Sequence, residues 1–288
     1  MTELTVLAEE VTGDRVRELR LHSPALGRDV SVNLLTPPGW RPDREYPVLY
    51  LLHGSSDDHR CWLTHTDLAA LSSASQTLIV MPDGGRMGFY TDWRVPDRQG
   101  TVPGWETFHL TELLPLLENR YGASDRRMVA GISMGGYGAL RYGMRHPGMF
   151  RAVASLSGLM HLTRRGMGGL LGLLSVREGM RPGRVWGPRR YGLDTWAAND
   201  PFRFPEAFAG TPVYLAAGDG TRVPGEEFVA GMGLVERYAR AMSADLAERL
   251  TAHGVDVTTN FSPGIHFWTT WRRKLAELWP YTQRILSG

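Results

Sequence analysis

Between residues 126 and 146 an apolar run ends in a serine bracketed by glycines and gives way to a helix-forming segment. In Val129-Ala130-Gly131-Ile132-Ser133-Met134-Gly135-Gly136-Tyr137, a Gly-x-Ser-x-Gly pattern surrounds Ser133. That order requires a strand, a sharp turn and a helix in immediate succession, so the chain must build a sheet with a helix packed back across it. The turn brings neighbouring backbones too close for a Cβ at Gly131 and Gly135, and it forces Ser133 into a strained conformation. The hydroxyl then stands at the positive end of a helix, where a developing negative charge is stabilised. Chance is the competing explanation in a chain with 34 glycines, but the setting argues against it. Residues 126–130 read as a short buried strand after a turn at 122–125, and residues 137–146 as a helix stopped by Pro147-Gly148. Ser133 is therefore expected to be a nucleophile.

The rest of the chain repeats the alternation. Residues 16–22 and 29–36 read as an antiparallel pair, and residues 47–52 and 77–81 are continuous apolar runs of the kind found in strands covered on both faces. Further strands are expected at 152–158, 212–218 and 255–261. Helices are expected at 105–121, interrupted or kinked at Pro115, at 234–253, and at 268–286 with a bend at Pro280. This pattern predicts the α/β class: a mostly parallel central sheet flanked by helices, with an antiparallel start. No linker divides the 288 residues, so residues 1–288 are expected to form a single domain. Residues 160–190 break the rhythm and read either as a small cap or lid inserted over the site, or as a pair of short surface helices. As a cap, residues 170–174 would line an acyl pocket, and Arg164, Arg165, Arg181, Arg184, Arg189 and Arg190 would draw in an anionic substrate.

Bulk properties exclude several classes. The net charge of +2 gives no push towards nucleic acid or general membrane binding, and Lys274 is the sole lysine among 32 basic residues. One cysteine, Cys61, rules out an intrachain disulfide and a Cys-based zinc site. No run of about 18 apolar residues is present, so no membrane span is expected. Residues 1–20 are charged throughout and lack the apolar core of a secretory signal, which makes the cytoplasm the expected location. His53, Asp57, Asp58, His59 and His65 match no metal-ligand spacing, so neither a metal nor a cofactor is expected.

A serine needs a base beside it, oriented by an acid. Beyond His146, which closes the helix after the elbow, His161, His253 and His266 follow Ser133. His161 comes too early to leave room for an acid before it, and His253 sits at a helix end where the last carbonyls claim it. His266, in a loop between the last strand and the last helix, is the expected base. The acid stays open on the residues alone: Asp219 follows the strand at 212–218, Glu236 is its competitor on the next helix, and Glu226, Glu227 and Asp245 are weaker. Backbone N–H groups of Met134 and Ser55 are the expected oxyanion hole, with His53, Gly54 and Ser56 flanking the pocket and Trp268 beside it.

A series of collinear motifs over residues 23–280 resembles the esterase-D-like α/β-hydrolases, specifically the antigen 85 mycolyltransferase branch. These are Leu51-Leu52-His53-Gly54, Val80-Met81-Pro82-Asp83-Gly84-Gly85, Phe89-Tyr90-Thr91-Asp92-Trp93, Trp105-Glu106-Thr107-Phe108, the elbow itself, Val185-Trp186-Gly187-Pro188, Asn199-Asp200-Pro201 and Gly264-Ile265-His266-Phe267-Trp268. The resemblance implies an α/β-hydrolase fold and favours Glu236 as the acid, because the family's catalytic glutamate starts a helix that runs towards the next strand. Asp219 remains the runner-up. The mycolyltransferases carry an acidic residue at the position of His53 and a basic one at that of Ser56, both tied to sugar binding, and they are exported. Trehalose mycolylation is therefore not the expected reaction. The expectation is a carboxylesterase working through an acyl-enzyme on Ser133 with a small-molecule ester substrate. The alternatives are an acyltransferase that delivers the acyl group to an alcohol or sugar, and a non-catalytic binding relative.

Overall fold

Both faces of the central strands are covered, which is why their sequences are apolar without interruption. The computed structural model describes residues 3–225, 227 and 229–287. Nine strands form one sheet: β1 (Thr5–Thr12), β2 (Val16–Ser23), β3 (Arg28–Leu35), β4 (Tyr46–Leu52), β5 (Leu78–Pro82), β6 (Ala123–Ile132), β7 (Ala152–Leu156), β8 (Val213–Gly218) and β9 (Val257–Ser262). Their spatial order is β1-β2-β3-β5-β4-β6-β7-β8-β9. The first three are antiparallel, β3 also runs antiparallel to β5, and all pairings from β5 to β9 are parallel. The helices are α1 (Cys61–His65), α2 (Leu68–Leu71), α3 (Trp105–Thr107), α4 (Leu114–Tyr121), α5 (Met134–Arg145), α6 (Met167–Arg177), α7 (Leu193–Ala198), α8 (Met232–Ala252) and α9 (Trp268–Ser287).

Alternation along β4 sorts the core into two layers. Val48, Tyr50 and Leu52 pack with Tyr137 and Leu140 of α5 and with Met242 and Leu246 of α8. Leu49 and Leu51 point the other way, onto Trp62 of α1 and onto Trp271, Leu275 and Leu278 of α9. From β4 the chain steps to β5 on one side and then returns to β6 on the other. Such a reversal opens a crevice at the carboxyl ends of β4 and β6, the place where open α/β sheets bind ligands.

Several elements depart from the sequence expectations. β1 is an additional strand; its charged residues are mostly exposed at the sheet edge, so it has no apolar run to betray it. β6 starts at Ala123 and absorbs the segment read as a turn, and α5 starts at Met134, three residues earlier than the pattern suggested. Pro115 does not break its helix. Lacking an N–H, it cannot complete the i to i−4 ladder, and a π-turn over Phe108–Leu113 joins α3 to α4 instead. Pro280 lies inside α9. Residues 160–190 hold one α-helix, α6, then a long loop that ends in a single 3-10 turn at Arg189–Tyr191, rather than a pair of α-helices. Among the described residues no helix is long and apolar enough to cross a membrane.

Candidate active site

Ser133 sits between β6 and α5 with φ 50° and ψ −114°, a backbone state that costs a non-glycine residue about 1–3 kcal/mol. Its surroundings enforce that state. A Cβ on Gly131 would stand 2.4 Å from the carbonyl of Gly135, and one on Gly135 would stand 2.3 Å from Leu52 O. The Ser133 N–H donates to Leu156 O at 2.9 Å, tying the turn to the end of β7. Helix α5 leaves directly, so the Met134 N–H is one of the donors without an intrahelical acceptor.

The imidazole and the carboxylate come from the segments that follow β9 and β8, towards one edge of the sheet. His266 Nε2 lies 2.9 Å from Ser133 Oγ, and its Nδ1 lies 2.6 Å from Glu236 Oε2. Glu236 belongs to the second turn of α8 and is fully buried. Its other oxygen, Oε1, accepts the Gly218 N–H at 2.5 Å and the Ser157 hydroxyl at 2.6 Å. Ser157 Oγ in turn accepts the indole N–H of Trp271 at 3.2 Å, and the Trp271 ring stands edge-on to His266 at 5.0 Å between centroids. The loop carrying His266 presses on the end of β8, where a Cβ on Gly218 would meet Gly264 O at 2.3 Å. Ser157, held at φ 55° just after β7, is a member of this network that the sequence pattern did not single out. Its signal was present: it follows a buried strand in the same way that Ser133 does.

The other acid candidates lie apart from the imidazole. Asp219 accepts the N–H of Thr221 in its own turn at 2.7 Å, Asp245 pairs with Arg164, and Glu227 is exposed. Glu226 lies outside the described residues. His253 Nδ1 contacts Arg249 O at 2.8 Å, the helix-end arrangement expected of it, and His161 stacks on Phe202 at 3.9 Å. The five residues weighed as metal ligands are spread over separate contacts: His59 meets Glu18, His65 stacks on Trp268, and Asp58 binds Arg60.

A cavity of about 170 Å³ opens above Ser133 and His266. Gly54, Ser55, Ser56, Asp57 and Trp268 line it from one side and Leu174 and Arg177 of α6 from the other. Gly54 is close enough that a Cβ there would stand 3.8 Å from Ser133 Cβ. Trp268 donates its indole N–H to Asp57 Oδ1 at 3.3 Å. Ser56 bridges the cavity rim, its hydroxyl donating to Glu178 Oε1 at 2.7 Å directly after α6. Glu178 also pairs with Arg86 at 3.2 Å.

Two expectations require correction. The His53 side chain does not flank the cavity: it is fully buried, with Nδ1 2.6 Å from Gly54 O and Nε2 accepting the Gly84 N–H at 2.7 Å. Burial would lower its pKa, but the Asp83 carboxylate 3.2 Å away outweighs that and raises it. The six arginines proposed to draw in substrate do not line the cavity either. Arg164 is spent on Asp245, Arg189 on Thr163 O and Arg184 on Pro96 O, whereas Arg177, which was not singled out, does line it. Of residues 170–174 only Leu174 faces this cavity. Leu171 lines a neighbouring one with Trp186 and Trp196, and Leu173 is 68% exposed.

Comparison with known proteins follows the same lines. A family model described as "Putative esterase" matches residues 23–282. Esterase Rv1288 of Mycobacterium tuberculosis (strain ATCC 25618 / H37Rv) is 31% identical over 272 residues, covering 91% of this chain and 58% of that protein. The chain thus spans little more than half the length of that relative. Diacylglycerol acyltransferase/mycolyltransferase Ag85B of Mycolicibacterium smegmatis is 31% identical over 289 residues, covering 94% of this chain and 86% of that protein. The crystal structure of Mycobacterium tuberculosis MPT51 (FbpC1) superposes with a TM-score of 0.75 at 22% identity, covering 92% of this chain and 96% of that one, a likeness that bears on the fold.

Proposed function

The chain belongs to the esterase family of the α/β-hydrolase fold, and on that premise we propose that it cleaves carboxylic esters through an acyl-enzyme on Ser133. The observation that carries this reading is the unbroken relay from Ser133 Oγ through His266 to Glu236, at 2.9 and 2.6 Å, on the floor of an open cavity. His266 removes the hydroxyl proton as Ser133 attacks the ester carbonyl, and Glu236 stabilises the imidazolium and fixes its tautomer. The carbonyl oxygen becomes an anion between the N–H groups of Met134 and Ser55. His266 then returns the proton to the departing alcohol, and water, activated by the same imidazole, releases the acid. In this reading Trp268, Gly54 and Ser56 contact substrate, residues 160–190 act as a cap through α6, and all 288 residues serve one domain.

A second reading is acyl transfer. It is supported by the name of the Ag85B relative, whose length this chain matches more fully than it does that of Rv1288. Both reactions share the first half, and they diverge in whether water or an alcohol meets the acyl-enzyme. The test is covalent labelling by a fluorophosphonate together with hydrolysis of p-nitrophenyl esters of increasing acyl length. Labelling and turnover should both vanish in Ser133→Ala; a folded Ser133→Ala protein that still turns over would refute the proposal. Mass analysis of products with and without an added alcohol separates hydrolysis from transfer.

A further inference from the structure

The Ser55 N–H can stabilise an oxyanion only if the Gly54–Ser55 peptide is turned so that its N–H, and not its carbonyl, faces Ser133. In a trans peptide these two groups point in opposite directions, so pinning the carbonyl aims the N–H. We propose that His53 is the positioning residue that does this, acting on the peptide rather than on the substrate; the inference rests on the Ser133 mechanism above. His53 Nε2 has two neighbours, the Gly84 backbone N–H at 2.7 Å and Asp83 Oδ1 at 3.2 Å. The backbone N–H can only donate and is the nearer, while Asp83 Oδ1 already accepts the Gly85 N–H at 2.8 Å, so in the neutral ring Nε2 carries the lone pair. The ring proton therefore sits on Nδ1, which donates it to Gly54 O at 2.6 Å. The same carbonyl accepts a second bond from the Asp57 N–H at 3.3 Å.

The imidazole itself has little room to turn. It is fully buried and stands edge-on to Tyr90, with ring centroids 6.0 Å apart, and the Tyr90 hydroxyl donates to the His53 carbonyl at 2.9 Å. Gly84 follows β5, the neighbour of β4, so the direction of the peptide is referenced to the rigid sheet rather than to its own loop. On the other side, a Cβ on Gly54 would stand 2.9 Å from Asp57 Oδ2 and 3.8 Å from Ser133 Cβ, so the loop passes close to both. Because His53 is absent from the cavity lining, its loss should spare substrate binding and weaken only what the oxyanion needs.

The experiment compares His53→Ala, His53→Asn and His53→Gln on a p-nitrophenyl ester. The amide nitrogen of asparagine falls near the place of Nδ1 and can still donate to Gly54 O, whereas glutamine reaches the place of Nε2 and cannot. His53→Ala and His53→Gln should lower kcat by about 10- to 100-fold with KM within about threefold, somewhat less than outright removal of an oxyanion donor. His53→Asn should recover most of the loss. Affinity for an alkyl boronate, which forms a tetrahedral adduct on Ser133, should fall in parallel with kcat. A folded His53→Ala protein with kcat within twofold of the parent, a defect confined to KM, or an asparagine variant no better than glutamine would each overturn the proposal. Should the variants fail to fold, ¹⁵N spectra of histidine-labelled native protein decide: a proton on Nδ1 of His53 supports it, and its absence overturns it. Persistence of labelling in Ser133→Ala would instead sink the reaction itself, so the two failures are distinguishable.

Discussion

Replacing Glu236 by glutamine keeps the shape of the side chain while reversing one hydrogen-bonding role, and the structure dictates which end changes. Three donors converge on the carboxylate: the Gly218 N–H and the Ser157 hydroxyl on Oε1, and His266 Nδ1 on Oε2. The Gly218 N–H, 2.5 Å away, cannot rotate, and Ser157 already accepts from Trp271, which commits its proton to Glu236. The amide oxygen of the introduced glutamine must therefore take the Oε1 place, leaving its NH₂ against His266 Nδ1. To avoid two facing donors the imidazole must give up its Nδ1 proton and carry it on Nε2, 2.9 Å from Ser133 Oγ. In that tautomer it cannot accept the serine proton. The expected loss in kcat is about 10⁴-fold, the scale of a wrong-tautomer effect, equivalent to about 5 kcal/mol of transition-state stabilisation. Stability should fall by no more than about 1–3 kcal/mol, because the Gly218, Ser157 and Trp271 donors keep their partners and only the second hydrogen of the new amide goes without one. Steady-state hydrolysis of p-nitrophenyl acetate with a parallel thermal melt measures both, and Asp219→Asn should change kcat by less than about threefold. A Glu236→Gln enzyme within tenfold of the parent, or an Asp219→Asn enzyme with the larger loss, would refute the reasoning.

Other perturbations follow from the same contacts. Lys274→Met should lower stability by about 2–4 kcal/mol, seen as a lower denaturation midpoint, because the buried ammonium donates to Asn260 O, Asn260 Oδ1, Ser262 Oγ and Glu277 Oε2, and methionine removes these bonds while Glu277 keeps the Asn260 side-chain N–H. Gly135→Ala should yield little folded protein in a soluble-expression assay, since its Cβ meets the carbonyl oxygens of Leu52 and His53 at 2.3 and 2.7 Å. Burial pushes the His109 imidazole down to about 4, and the neutral ring is satisfied by Tyr142 Oη and Asp83 O. Its folded pKa thus lies below the unfolded value near 6.5, so the penalty is absent above about pH 6.5 and grows to about 3 kcal/mol as pH falls towards 4. Melts across that window should show the loss, and His109→Gln should flatten it. Glu106 acts lower: burial raises its pKa, but His146, Arg141 and Arg145 outweigh that and hold it near 2, so its contribution, present above about pH 4.5, is lost between 4.5 and 2.

What could be read in the sequence was whatever a short run of residues encodes by itself. The elbow was legible because Gly131, Ser133 and Gly135 are each demanded by the same few ångströms of backbone, and the central strands because both faces of β4 to β8 are buried. β1 was not legible, since an edge strand with a charged, exposed surface differs little from a loop. Nor was the direction of His53. Its neighbours in sequence place it beside the oxyanion loop, but Asp83 and Gly84, which hold the ring inward, arrive about 30 residues later, just after β5. The arginines of the insertion failed for a related reason: charge is visible in a sequence, whereas the partners that consume it, Asp245 for Arg164 and Thr163 O for Arg189, are fixed only by folding.

The choice of acid shows where that boundary falls. Asp219 and Glu236 both reach the carboxyl end of β8, one by following it directly and the other from the start of α8, so position in the chain cannot separate them. In the proposed mechanism the acid must be held rigidly in a buried place, which takes fixed donors for the lone pairs that the histidine does not use. Gly218 and Ser157 supply them to Glu236 from the ends of two adjacent strands. Asp219, less buried, has its carboxylate turned back onto Thr221. A residue matched by donors from three separate elements is a property of the assembled sheet, so it becomes visible only when β7, β8 and the His266 loop stand side by side.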